Sequence, residues 1–208
     1  FRKVDTLIVD KTGTLTEGKP QFDHVVAAAR FSGDDVLRLA ASLDQGSEHP
    51  LAAAIVTAAL ERGLALERAE GFESSSGIGV HGKVGDKHLA LGNTALMIQL
   101  GVATESLSSL AEASRTEGAS VMYLAINNQL AGLLVVSDPI KASTIEALAT
   151  LTASGMRVIM ATGDGVTTAK SVAAKLGISE VYGEVKPADK LALVNKLQQE
   201  GRIVAMAG

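Results

Sequence analysis

The chain has 208 residues, a formal net charge of −4 and 47% hydrophobic residues, with neither Cys nor Trp. That length predicts one large domain or two small ones with a sizeable core. The mildly acidic balance excludes a basic nucleic-acid surface, and the lack of cysteine excludes disulfides and thiolate metal sites. No apolar run approaches the roughly 18 residues a membrane span needs, so the chain as given reads as soluble.

In chain order, the first element is a short apolar strand over Val4–Val9, the kind that is covered on both sheet faces. From Gln21 to Val136 the pattern changes. Two helices flank "QGSEHP", with Pro50 in the first turn of the second, and "LAAAIVTAAL" reads as a buried helix. Hairpins follow: "GVHGKV" and "KHLALG" meet at Gly85-Asp86, and "SVMYLAI" and "QLAGLLVV" at Asn127-Asn128. The last third alternates helix and strand. "SDPIKASTIEALATLTASG" is predicted as a helix with Asp138 at N-cap and Pro139 at N1, "MRVIMA" as a strand, and "VTTAKSVAAKLG" as a helix closed by Gly177. "EVYGEV" is a strand, Pro187 opens a helix carrying Leu191, Val194 and Leu197, and "RIVAMA" is a final strand. The expected fold class is α/β: a parallel sheet built from residues 1–19 and 137–208, with an antiparallel α+β domain inserted at 20–136. Linkers fall near Gly18–Pro20 and Ser137–Pro139. The N-terminus shows no signal-peptide pattern, and both ends suggest an excised fragment.

"LIVDKTGTLT" carries the strongest chemical signal. In open parallel sheets ligands bind beyond the carboxyl ends of strands. Asp10 falls at such an end, followed by Thr12, Gly13 and Thr14, whose hydroxyls and N–H groups suit an anion. "VIMATGDG" repeats the arrangement with Thr162, Gly163 and Asp164 before a helix, and "KPADK" places Lys190 in the first turn of another. A cation there opposes the helix dipole, so a bland surface role explains it poorly. A nucleophilic carboxylate, anion donors and a lysine are what phosphoryl transfer to an aspartate requires.

These residues resemble the haloacid dehalogenase superfamily and, within it, the P-type ATPases, whose phosphorylation signature "DKTGTLT" at Asp10–Thr16 is similar to. The resemblance implies that Asp10 accepts the γ-phosphate of ATP. It implies that Lys11, Thr12, Thr162, Gly163, Asp164 and Lys190 serve the phosphate, and that Asp10 and the Thr12 carbonyl hold Mg²⁺. Related phosphatases carry a general acid/base Asp where this chain has Thr12, so the acyl phosphate is expected to persist. Two departures stand out. Gly165 follows Asp164 where the family has Asn, and the chain stops at Gly208 before the family's "GDGxND" segment.

In the insert, "SEHPLA" resembles the heavy-metal-transporting (CPx-type) P-type ATPases. By that resemblance Glu48 binds the adenine amino group, and His49 packs on the ring or orients the phosphates. Gly77, Gly79 and Gly82 satisfy G-x-G-x-x-G. No helix follows as a dinucleotide site needs, and no kinase HRD or DFG segment occurs, so both readings are rejected. Gly82 reads as a turn between strands, while Gly77 and Gly79 match the family's nucleotide loop. Gly92 and Asn93 match a further nucleotide-proximal pair, although Asn93 is nearly as well explained as a helix cap.

The expected whole is the cytoplasmic, ATP-binding and autophosphorylating part of an integral membrane protein, in the plasma or inner membrane of a bacterium or archaeon. It would drive copper(I) or silver efflux with ATP and Mg²⁺ as cofactors. Its partners would be ATP/ADP and the transmembrane and actuator domains of the same protein, with no nucleic acid, and the transported metal bound elsewhere. Alternatives are zinc or cadmium export, or a haloacid-dehalogenase-type phosphatase.

Overall fold

The computed structural model describes residues 4–75 and 77–208. The chain divides into two compact units, one containing residues 4–19 and 138–208 with the short stretch Thr116–Gly118, the other containing Pro20–Arg115 and Ala119–Ser137.

The first unit is a four-stranded, all-parallel sheet. Its strands are β1 (Thr6–Val9), β8 (Arg157–Ala161), β9 (Glu180–Tyr182) and β10 (Val204–Ala207), in the order β10-β1-β8-β9. Helices α5 (Thr144–Ala153), α6 (Val166–Lys175) and α7 (Pro187–Gln199) connect them. Val9 and Met160 pack with Leu148 of α5 and Ala169, Val172 and Ala173 of α6. Ile8, Ile159 and Ala161 pack with Leu197 of α7 on the opposite face. Coverage on both faces explains why β1 and β8 read as unbroken apolar runs. After β9 the chain crosses by α7 to pair β10 on the far side of β1, so the winding reverses beside β1 and opens a crevice at the strand ends there.

The second unit is a six-stranded antiparallel sheet. It comprises β2 (Gln21–Ala27), β7 (Gln129–Ser137), β6 (Ser120–Ile126), β5 (Lys87–Gly92), β4 (Gly79–Val84) and β3 (Glu70–Ser75), in that spatial order. Helices α1 (Gly33–Asp44) and α2 (Pro50–Glu61) cover one face, where Leu37, Leu43 and Ile55 meet Val80, Leu91, Leu124 and Leu134. Helices α3 (Thr94–Gln99) and α4 (Glu105–Thr116) supply Met97, Leu107 and Ala111 to the other, against Tyr123, Leu133 and Val135. Asn127 and Asn128 both adopt positive φ, as a two-residue hairpin turn with the strand twist demands.

Three local expectations are corrected. Helix α5 starts at Thr144, not at Asp138. Residues 138–143 instead strap the Asp10 loop: the Asp138 carboxylate accepts from Thr16 Oγ1 at 2.6 Å and from the Lys19 N–H at 3.2 Å, and Ile140 bridges Thr16. Ser143 takes the N-cap place of α5, and Asp138, five residues earlier, is spent on the loop instead. Gly82 lies inside β4 rather than in a turn, and a side chain there would press on Leu43 and the Glu70 carbonyl at about the limit of contact. The strand predicted over "EVYGEV" ends at Tyr182, since Glu184 turns to a left-handed φ of 57° and its N–H bonds the Asp164 carbonyl.

Candidate functional site

Asp10 follows β1 directly, and its N–H donates to Ala207 at the end of β10 (2.9 Å). Its Oδ1 accepts the Lys11 N–H at 2.8 Å, and its Oδ2 accepts from Lys190 Nζ at 2.6 Å. Lys190 reaches it from the first turn of α7, which opens on Pro187 and is capped by Asp189 accepting the Lys186 N–H. The cation that sits poorly in its own helix dipole is thus paired with a carboxylate from another strand.

The Lys11 side chain turns inward. Its ammonium meets Asp164 Oδ2 at 3.0 Å and is 4% exposed. The same oxygen accepts from Thr162 Oγ1 at 2.6 Å, and Thr162 Oγ1 accepts the Asp164 N–H. Thr162 follows β8, and its N–H and carbonyl are tied to Tyr182 and Val185, so the Thr162–Asp164 turn is held on both sides. Gly163 is exposed. Gly165 takes the N-cap place of α6 and, having no side chain, makes no cap bond of its own. Thr12 is exposed and extended (φ −71°, ψ 124°), and Gly13 is left-handed (φ +77°). Of the residues singled out from the sequence, Asp10, Lys11, Thr162, Asp164 and Lys190 therefore form one bonded cluster at the carboxyl edge of the sheet.

In the second unit a separate cluster forms. Gly79 of β4 pairs with Gly92 of β5, and a Cβ on Gly79 would lie 2.4 Å from the Leu91 carbonyl oxygen. Backbone packing alone demands glycine at both positions. Gly77 differs: its φ is +72° and open space surrounds it. Asn93 joins the two parts, donating from Nδ2 to the Gly77 carbonyl (2.9 Å) and capping α3 by accepting the Leu96 N–H. Glu48 and His49 are exposed on the α1–α2 connection. His49 caps α2, its Nδ1 accepting the Leu51 N–H at 3.2 Å, with Pro50 at N1. Gly46 of this connection lies against the Phe72 ring of β3, which seats it beside the strands that carry the glycine turn.

One residue escaped the sequence reading. Asp44 ends α1 and is 5% exposed. Burial pushes its carboxyl up to about 7. The signal was present: Leu37, Ala40 and Asp44 fall on one helical stripe, so the acid interrupts an apolar face at the end of the helix where the dipole opposes it.

The sequence pattern of the haloacid dehalogenase-like hydrolases matches residues 4–208. Over all 208 residues the chain is 50% identical to a copper-transporting P-type ATPase of Rhizobium leguminosarum bv. viciae and 43% identical to a silver exporting P-type ATPase of Salmonella typhimurium. It spans 25% of the length of each. Among solved structures it is similar to the catalytic domain of the CPx-ATPase CopB-B, a structure that concerns conformational changes upon nucleotide binding. The TM-score is 0.78 at 29% identity, covering all of this chain and 71% of the other. With its parallel sheet, its acidic strand end and a match that runs across almost every residue, the chain belongs to the haloacid dehalogenase-like hydrolases.

Proposed function

We propose that the chain is the ATP-binding and phosphoryl-accepting part of a P-type ATPase that exports copper(I) or silver(I). The unit carrying residues 1–19 and 137–208 is the phosphorylation domain, and 20–136 is the nucleotide-binding domain. The observation that carries the reading is Asp10, held at 2.6 Å by Lys190, with a threonine rather than a second acid two residues on.

An Asp10 oxygen attacks the γ-phosphorus of ATP, the bond from that phosphorus to the β–γ bridging oxygen breaks, and ADP leaves with the electron pair. Lys190 balances negative charge at the acceptor, and the Thr162–Gly163 turn offers donors to the phosphoryl oxygens. Lys11 and Asp164 neutralise each other beside the acceptor and hold the two loops in register. Thr12 supplies no carboxylate to activate water, so the acyl phosphate survives long enough to be coupled to transport. Asp10 and the Thr12 carbonyl are hard oxygen donors and fit Mg²⁺. Among the described residues no group of three or more His, Cys, Asp or Glu could form a cage, which suits an ion completed by water and phosphate oxygens. When bound, Mg²⁺ supplies neutralisation of the charge that develops on the phosphoryl oxygens.

For the nucleotide, the Asp44–His49 connection and the Gly77–Asn93 turn face a purine and its phosphates. Glu48 and His49, both exposed on that connection, meet the base, Glu48 at the adenine amino group and His49 on the ring or at the phosphates. Gly77 gives close backbone approach, while Gly79, Gly92 and Asn93 shape the turn. The names of the relatives, copper and silver exporters, support the choice of metal. No described helix is long and apolar enough to cross a membrane, so in this reading the metal is bound by other parts of the full-length pump. The test is phosphoenzyme formation by that pump with each of copper(I), silver(I), zinc(II) and cadmium(II). Stimulation by the monovalent ions is expected, and stimulation by zinc and cadmium alone would overturn the assignment of metal.

A further inference from the structure

Residues 138–144 wrap the loop that follows Asp10. Glu17 N–H donates to the Pro139 carbonyl at 2.8 Å, Lys141 N–H to the Leu15 carbonyl at 3.1 Å, and Thr144 Oγ1 to the same carbonyl at 2.8 Å. These bonds fix the strap as backbone. Its side chains do something more specific. Lys141 Nζ donates to the Gly13 carbonyl at 2.6 Å, while the Gly13 N–H donates to Thr16 Oγ1, which is itself held by Asp138 at 2.6 Å. Thr16 is 1% exposed, so that arm of the network is buried.

Gly13 is thus gripped through both of its backbone groups, and the consequence follows from peptide planarity. In a trans peptide the N–H and C=O point in opposite directions. Anchoring the Gly13 N–H on Thr16 turns the Thr12 carbonyl to the other side of the loop, and anchoring the Gly13 carbonyl on Lys141 does the same for the Thr14 N–H. One peptide presents an oxygen for a cation and the next an N–H for an anion, both within four residues of Asp10. A Cβ built at Gly13 meets nothing within 4 Å, whereas one built at Gly18 would lie 2.9 Å from the Gly13 Cα, so the two glycines approach by backbone and no side chain packed there orients the Gly13 peptides. A left-handed glycine can turn its peptides unless they are tied.

We infer that Lys141 is a positioning residue for phosphoryl transfer: by its charge-assisted bond to the Gly13 carbonyl it fixes the peptides that face the acceptor. The inference rests on the reading of Asp10 as acceptor given above. The experiment compares Lys141→Met, Lys141→Arg, Asp10→Asn and wild type in the full-length pump. The initial rate of labelling from radiolabelled ATP is measured beside the affinity for ATP alone. The expected result is a fall of about 10-fold or more in labelling rate for Lys141→Met, with ATP affinity unchanged and most of the rate restored by Lys141→Arg. Equal rates in Lys141→Met and wild type, or matching losses in rate and affinity with no recovery in the arginine variant, would overturn it. Labelling that persists in Asp10→Asn would instead sink the acceptor reading. Amide hydrogen exchange in the 208-residue chain decides the positioning directly. Faster exchange at Gly13 and Thr14 in Lys141→Met, with the β-strand amides unchanged, supports it, and unaltered exchange at both contradicts it.

Discussion

Lys11 and Asp164 meet at 3.0 Å in the first unit, with Lys11 4% and Asp164 16% exposed. Lys11 directly follows Asp10, and its pair with Asp164 joins the loop after β1 to the loop after β8. Removing one partner of a buried pair leaves an uncompensated charge. Lys11→Met is therefore expected to destabilise the chain by about 3 kcal/mol in urea unfolding, the low end of the usual range because Asp164 keeps some exposure and the Thr162 hydroxyl. Lys11→Met with Asp164→Asn should recover part of that loss.

Asp44 gives a pH signature. Its carboxyl titrates near 7 in the folded chain, against about 4 for an ordinary aspartate. Between those values the unfolded chain releases a proton that the native chain keeps, so stability falls as pH rises from about 4 to about 7 and then levels off. The shift corresponds to at most roughly 4 kcal/mol. The difference in unfolding free energy between Asp44→Asn and wild type should grow across that window in favour of the variant.

The glycines separate by mechanism. Gly79→Ala and Gly92→Ala each drive a methyl into backbone and should cost more than about 2 kcal/mol, detectable as a lowered denaturation midpoint. Gly77→Ala meets open space and carries only the left-handed penalty of about 1–2 kcal/mol. Its main effect should be on ATP affinity, so an affinity equal to wild type in a folded Gly77→Ala chain would assign Gly77 to the turn alone.

Much of the first unit was legible because each strand end carried chemistry that a packed sheet does not need. Asp10, Thr162 and Lys190 stand out against apolar β1 and β8 and against a helix dipole. The strap was not legible. Asp138-Pro139 has the residues of a helix start, and only a partner 122 residues away reveals why Asp138 is there. Strands β2 and β3 were missed for another reason: β2 bulges between Phe22 and His24, and edge strand β3 is mostly exposed, so neither shows clean alternation. Asp44 blends into the polar turn that follows it, although its helical stripe marks it as buried.

In the full-length P-type ATPase proposed above, incubated with radiolabelled ATP, Mg²⁺ and copper(I), the phosphate is mapped to its peptide. The expected result is a hydroxylamine-labile label on the peptide containing Asp10, absent from Asp10→Asn and reduced about 100-fold in initial rate by Lys190→Ala. An acid-stable label insensitive to hydroxylamine, or label retained in Asp10→Asn, would contradict the account.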